Sequence, residues 1–90
     1  PVVAINRALA LAQVRGAGPA LEVLDAAAAD PRLTEYQPYW AARAELLAKV
    51  GASADARHAY DIAIGLERDV AVRRFLQQRQ AALPTGPADS

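Results

Sequence analysis

Apolar residues along this chain recur at helical spacing, and no stretch alternates with period two. Breakers divide the sequence into five predicted helices. The first covers Val2 to Arg15 and stops at Gly16–Ala17–Gly18. Pro19 then falls in the first turn of the second, where its missing N–H costs nothing. That helix runs to Ala29, because Asp30–Pro31 disfavours continuation. The third covers Thr34 to Val50, with Thr34 as its expected cap, Pro38 in its first turn and Gly51 just past its end. Ser53 is expected to cap the fourth, which reaches Glu67. The fifth covers Asp69 to Leu83 and is stopped by Pro84, after which "PTGPADS" reads as a flexible tail. The predicted fold is all-α: five helices in antiparallel pairs over residues 1–83, with residues 84–90 as a tail.

Spacing also says which side of each helix is covered. The second gathers Ala20, Leu21, Leu24 and Ala28 opposite Glu22 and Asp25. The third stacks Tyr36, Trp40, Ala44 and Leu47. The fourth stacks Ala56, Tyr60 and Ala63, with Ala59 and Leu66 beside them. The fifth turns Val72, Phe75, Leu76 and Leu83 inward and Arg73, Arg74, Gln77 and Gln80 outward. The first helix differs. Val2, Ile5, Leu9 and Ala12 form one apolar strip, and Val3, Ala10 and Val14 form another, with Asn6 and Gln13 between them. A helix apolar on two sides expects neighbours on two sides. Since Pro1 also stands where a start methionine would, the chain is expected to be a piece of a longer protein. Homodimerisation through the first helix is a further expectation.

Composition narrows the picture. Hydrophobic residues make up 53% of the chain but aromatics only 6%, so alanine supplies much of the apolar content. Alanine favours helix and lets helix axes approach. Ten basic residues balance ten acidic ones, which disfavours non-specific nucleic-acid binding. Cysteine is absent, excluding disulfides and thiolate metal sites and fitting a reducing cytoplasm. The single histidine, His58, has no second histidine or cysteine to complete a metal site. No apolar stretch reaches membrane-spanning length. Glu22 and Asp25 share an exposed face without a nearby nucleophile, and Gly16–Ala17–Gly18–Pro19 lacks the lysine of a phosphate loop. No catalytic residue, cofactor or metal ligand is therefore assigned.

A repeat carries more information. Gly16 and Gly51 lie 35 residues apart, each ending one helix and preceding another. This is close to the roughly 34-residue period of tetratricopeptide repeats. Trp40, Ala44, Gly51, Ala56, Tyr60 and Ala63 fit the aromatic, small and turn positions of such a unit, while Arg68 replaces the usual proline. Small residues let backbones approach, and Trp40 and Tyr60 would fill the wedge between helix pairs. The order Ile5–Ala8, Gly18–Pro19, Val23–Asp25, Tyr36 with Ala41–Leu47, Ala56–Tyr60–Ala63 and Arg73–Leu76 resembles a more specific family. That family is the tetratricopeptide-like C-terminal extension of bacterial extracytoplasmic-function sigma factors. The resemblance implies a short superhelical stack acting in the cytoplasm as a regulatory or protein-interaction module. Its implied partners are the upstream sigma domains, the RNA polymerase core or a regulator. Promoter DNA would be contacted only through upstream domains absent from this chain. The rival reading is a free-standing scaffold or peptide-binding repeat protein.

Four residues are candidates for contact. Asn6 is polar within an apolar helix, and tetratricopeptide grooves use asparagine to grip extended peptides. Its structural alternative is a local hydrogen bond or a place at the solvent rim. Arg7 and Arg43 would flank such a groove and hold a carboxylate, unless each simply pairs with a surface acid. Tyr36, Tyr39 and Trp40 read mainly as core, with Tyr39 the exception because it faces away from the partners of Trp40. Arg68, Arg73, Arg74 and Arg79 give the last helix a positive bias that a solvated outer face explains.

Overall fold

Backbone chemistry at a few breakers sets several of the helix boundaries. The computed structural model describes residues 2–84, with Val2 described in its backbone alone. The expected contribution of the Val2 side chain and the expected tail from Thr85 onward lie outside the described residues. Five α-helices follow in order: α1 (Val2–Arg15), α2 (Ala17–Ala27), α3 (Gln37–Lys49), α4 (Ser53–Leu66) and α5 (Val70–Ala81). A single 3-10 turn, Pro31–Leu33, precedes α3, and no strand occurs among the described residues. Each helix packs on the next in the chain, and α1 also touches α3. The thinnest dimension of the molecule, 20 Å, is about two helix diameters.

The first break is tighter than the sequence suggests. Only Gly16 separates α1 from α2, because its φ of +92° lets the chain change direction in one residue. Gly18 and Pro19 then sit inside the first turn of α2. The α3–α4 turn has the same logic. Gly51, with φ +83°, donates to the Ala48 carbonyl at 3.1 Å, and Ala52 donates to Leu47 at 3.0 Å. These two bonds close a Schellman ending, so backbone alone satisfies the last carbonyls of α3. Ala52 consequently precedes α4, and Ser53 is already its first helical residue. The expected Ser53 cap is thus corrected. The α5 start does use a side chain: the Asp69 carboxylate accepts from Ala71 N–H at 2.8 Å.

Thr34 does not cap α3 either. The segment before α3 is held by the 3-10 turn, whose Leu33 is buried in the core. Asp30 accepts from the Arg32 backbone and side chain, and the Arg32 guanidinium holds its carboxyl down to about 2. The Thr34 carbonyl receives the Trp40 indole N–H at 2.9 Å. Thr34 therefore serves through its backbone, and α3 starts at Gln37 after an extended Tyr36.

Two groups of buried residues make the core. Ile5, Ala8, Ala20, Leu24, Leu33, Tyr39, Ala42 and Leu46 join α1, α2 and α3. Ala44, Leu47, Ala56, Ala59, Tyr60, Ala63, Leu76 and Leu83 join α3, α4 and α5. Trp40 and Leu21, both half-buried, pack against each group and link them. In the second group Ala44, Ala56 and Ala63 are wholly buried, and the α3 and α4 backbones lie close together. Two inward assignments on α5 are corrected. Leu76 and Leu83 are buried, but Phe75 is 54% exposed and Val72 is exposed as well. The α5 helix packs chiefly on α4, and one line of contact cannot cover two residues about 100° apart.

Replacing Gly51 by Ala should cost about 1 kcal/mol, because its positive φ penalises any Cβ although the space around it is open. Gly18→Ala, in ordinary helical backbone with equally open space, should be neutral or stabilising. Urea unfolding of the two variants would check the contrast. Ala63→Leu should cost about 1–3 kcal/mol by forcing α4 off its neighbours. The exposed Ala54→Leu should stay within about 0.5 kcal/mol in the same assay.

Candidate interaction groove

Three non-consecutive helices open a groove on one side of the molecule. Its volume is about 340 Å³. The α1 helix supplies Ile5, Asn6 and Leu9, and α3 supplies Gln37, Pro38, Ala41, Ala42 and Glu45. The α5 helix supplies Phe75, Leu76 and Arg79, and Tyr60 of α4 reaches the lining from behind. The exposed side chains of Leu9 and Phe75 belong to helices on either side of α3. Between them the α3 surface is low, because Ala41 and Ala42 carry only methyl groups. Arg79 and Glu45 approach to 3.6 Å, with each side chain about half exposed. An exposed pair at that distance is weak and easily rearranged.

The structure separates the four sequence candidates. Asn6 lies on the groove, exposed at its α1 wall. Arg7 is exposed but does not contribute to the lining. Arg43 points elsewhere: its guanidinium pairs with Asp25 at 2.5 Å, tying α3 to α2. The expected pair of arginines flanking one groove is thus corrected, since Arg43 already holds a surface acid. Tyr39 is also corrected. It is only 3% exposed, and its ring meets Trp40 edge-to-face at 5.1 Å between centroids. The α1–α2–α3 contact fills the side that sequence spacing left open.

Sequence reasoning missed Gln37, Phe75, Arg79 and the role of Tyr60. A signal existed for Phe75, because Phe75 and Leu76 are adjacent and a helix with one packing partner buries one of them. The second apolar strip of α1 also remains uncovered: Val3 is 69% and Val14 82% exposed, and Ala10 is exposed between them. The strip containing Ile5 and Ala12 is the one turned to α2 and α3. A larger hollow of about 640 Å³ surrounds the α3–α4 turn and borders Pro84. It has no large apolar wall, its lining being mostly small residues with Asp55 and Arg57.

Among the described residues, no group of three or more His, Cys, Asp or Glu side chains stands within reach of one metal ion. No helix among them is long and apolar enough to cross a membrane. No family model matches the chain, and comparisons with curated proteins and with solved structures return no match.

Arg43→Ala should leave any ligand of the groove bound with unchanged affinity, because Arg43 lies off its lining. Its stability cost should be at most about 1 kcal/mol, the range of a partly exposed ion pair. Titration of the variant with a groove ligand, alongside thermal melting, would read both quantities.

Proposed function

We propose that this chain is a short tetratricopeptide-like stack of antiparallel helix pairs, serving as the C-terminal regulatory and interaction module of an extracytoplasmic-function sigma factor. The observation that carries the reading is the groove. Apart from Tyr60 of the fourth helix, its lining comes from the first, third and fifth helices, the pattern expected when alternate helices of paired units share one side. The 35-residue spacing of Gly16 and Gly51 supports the same unit, because both glycines take positive φ at the end of a helix. The order of short motifs from Ile5–Ala8 to Arg73–Leu76 supports the sigma-factor assignment. On this reading the chain performs no chemistry. It contacts upstream sigma domains, the polymerase core or a regulator in the cytoplasm, and DNA is engaged only by the upstream domains. The exposed Val3–Ala10–Val14 strip then rests on those domains, or on a second copy when the module stands alone.

Transcription in vitro tests this reading. The parent protein should carry a promoter-binding helix-turn-helix region before Pro1. Deleting everything from Pro1 onward should change promoter-dependent transcription at least several-fold while leaving the upstream domains folded. An unchanged transcript yield, or further helical repeats in place of the helix-turn-helix region, would favour a free-standing scaffold instead.

A further inference from the structure

The α5 helix carries three arginines and no acid, in a chain that is neutral overall. Arg79 makes the loose pair with Glu45, whereas Arg73 and Arg74 enter no ion pair among the described residues. The acids nearest in sequence are already engaged by backbone. Glu67 accepts from the Asp69 N–H, and Asp69 accepts from Ala71 and Val72. Nor does the helix gain from where these two cations sit. Arg73 and Arg74 lie about two turns before the C-terminal end of α5, too far for the helix dipole to favour them.

Val70, Arg73, Arg74 and Gln77 fall at i, i+3, i+4 and i+7, so they share one face of α5. Together they line a shallow dent of about 260 Å³, and all four are exposed. Leu76 and Leu83 turn into the core, while Phe75 and Arg79 line the groove, so this face is separate from both. Its chemistry is a valine flanked by two guanidinium groups. A membrane-binding helix needs a broad apolar face beside its cations, and here only Val70 accompanies them. Nucleic acid draws on a surplus of positive charge, which this chain lacks. Carboxylates match guanidinium groups in charge and in bidentate geometry. The α5 main chain is bonded within its own helix from Arg73 onward and has little to offer an extended strand. A second helix needs no such bonds and packs against a strip of this spacing.

We propose that this face of α5 docks an acidic amphipathic helix of a partner protein. An apolar side chain of that helix rests on Val70, and carboxylates one turn to either side of it pair with Arg73 and Arg74. From Val70 to Gln77 the strip runs about 10 Å, or about two turns of the incoming helix. The pairs stay at the surface, so the contact weakens as salt rises. This face takes such a helix whether or not the chain belongs to a sigma factor, and whatever the groove binds.

The test uses the isotope-labelled 90-residue chain, titrated with alanine-rich helical peptides and followed by amide NMR shifts. Each peptide has about 20 residues, long enough to hold a helix alone. The probe peptide carries Leu with Glu one turn before and one turn after it. Control peptides replace Glu by Gln or by Lys, or break the helix with Pro. Phosphatidylserine vesicles and a single-stranded oligonucleotide complete the panel. The acidic helix should bind tightest and move the Val70, Arg73, Arg74 and Gln77 amides most. Its affinity should fall at least about 5-fold between about 0.05 M and about 0.5 M salt. The double variant Arg73→Gln, Arg74→Gln should weaken it at least about 10-fold with an unchanged melting temperature, because neither side chain holds anything inside the fold. Arg15→Gln with Lys49→Gln removes the same charge from other exposed positions and should leave affinity within about 2-fold. Equal binding by any control peptide would overturn the assignment, as would tighter binding to vesicles or oligonucleotide. So would shifts centred elsewhere, equal losses in the two double variants, or an acidic helix that does not bind. A transcription result that rejects the sigma-factor reading leaves these outcomes unaffected, so the two failures are separable.

Discussion

The whole arrangement hangs on how closely α3 and α4 approach. Ala44 of α3 and Ala56 and Ala63 of α4 are wholly buried in the core group these helices share, and Ala59 is nearly so. Larger side chains there would hold the helices apart, and the neighbours would lose their seats. Tyr60 is buried in the second core group and reaches the groove, while Trp40 bridges the two core groups and bonds the Thr34 carbonyl. A chain so rich in alanine has little apolar area per residue to hide. Its stability therefore depends on a few large residues placed where small ones have made room.

Helix positions were legible because they rest on periodicity and on breakers, both local properties. Gly16, Gly51 and Pro19 act through backbone dihedrals that no distant contact alters, and they sit where spacing put them. The caps at Thr34 and Ser53 were misread for a common reason. A hydroxyl at the right offset is necessary for a cap, but the backbone can satisfy the same groups first. At Gly51–Ala52 the Schellman bonds do so, and at Thr34 the 3-10 turn and the Trp40 indole do. Side-chain facing was legible for α4 and for Ala20 and Leu24 of α2, whereas Ala28 lies past the end of α2 and is exposed. It failed for Phe75 and Val72, because α5 packs mainly on α4 and the sequence does not state how many neighbours a helix has. Of the four contact candidates, only Asn6 came from a signal that survives packing: a polar residue interrupting an apolar face. Tyr39 was drawn into the core it shares with α1 and α2, and Arg43 to Asp25 of α2, all far off in sequence.

Charge placement gives the groove its character. The chain is neutral overall, and three ion pairs hold part of that charge. Asp30 is matched by Arg32, Asp25 by Arg43 and Glu45 by Arg79. Of these pairs only Glu45–Arg79 spans the groove, and at 3.6 Å it is the loosest. A pair at that distance and exposure adds little to the link between α3 and α5. Because α5 takes most of its contacts from α4, its position is the least constrained wall of the groove.

That asymmetry decides how the site would work. The α1 wall is fixed by contacts with both α2 and α3, so Asn6 and Leu9 form a rigid edge. The α5 wall carries the exposed Phe75 and is anchored by Leu76 and Leu83 on one side only. The α5 helix is thus the wall with the fewest neighbours, and Phe75 is the large apolar side chain that this leaves uncovered.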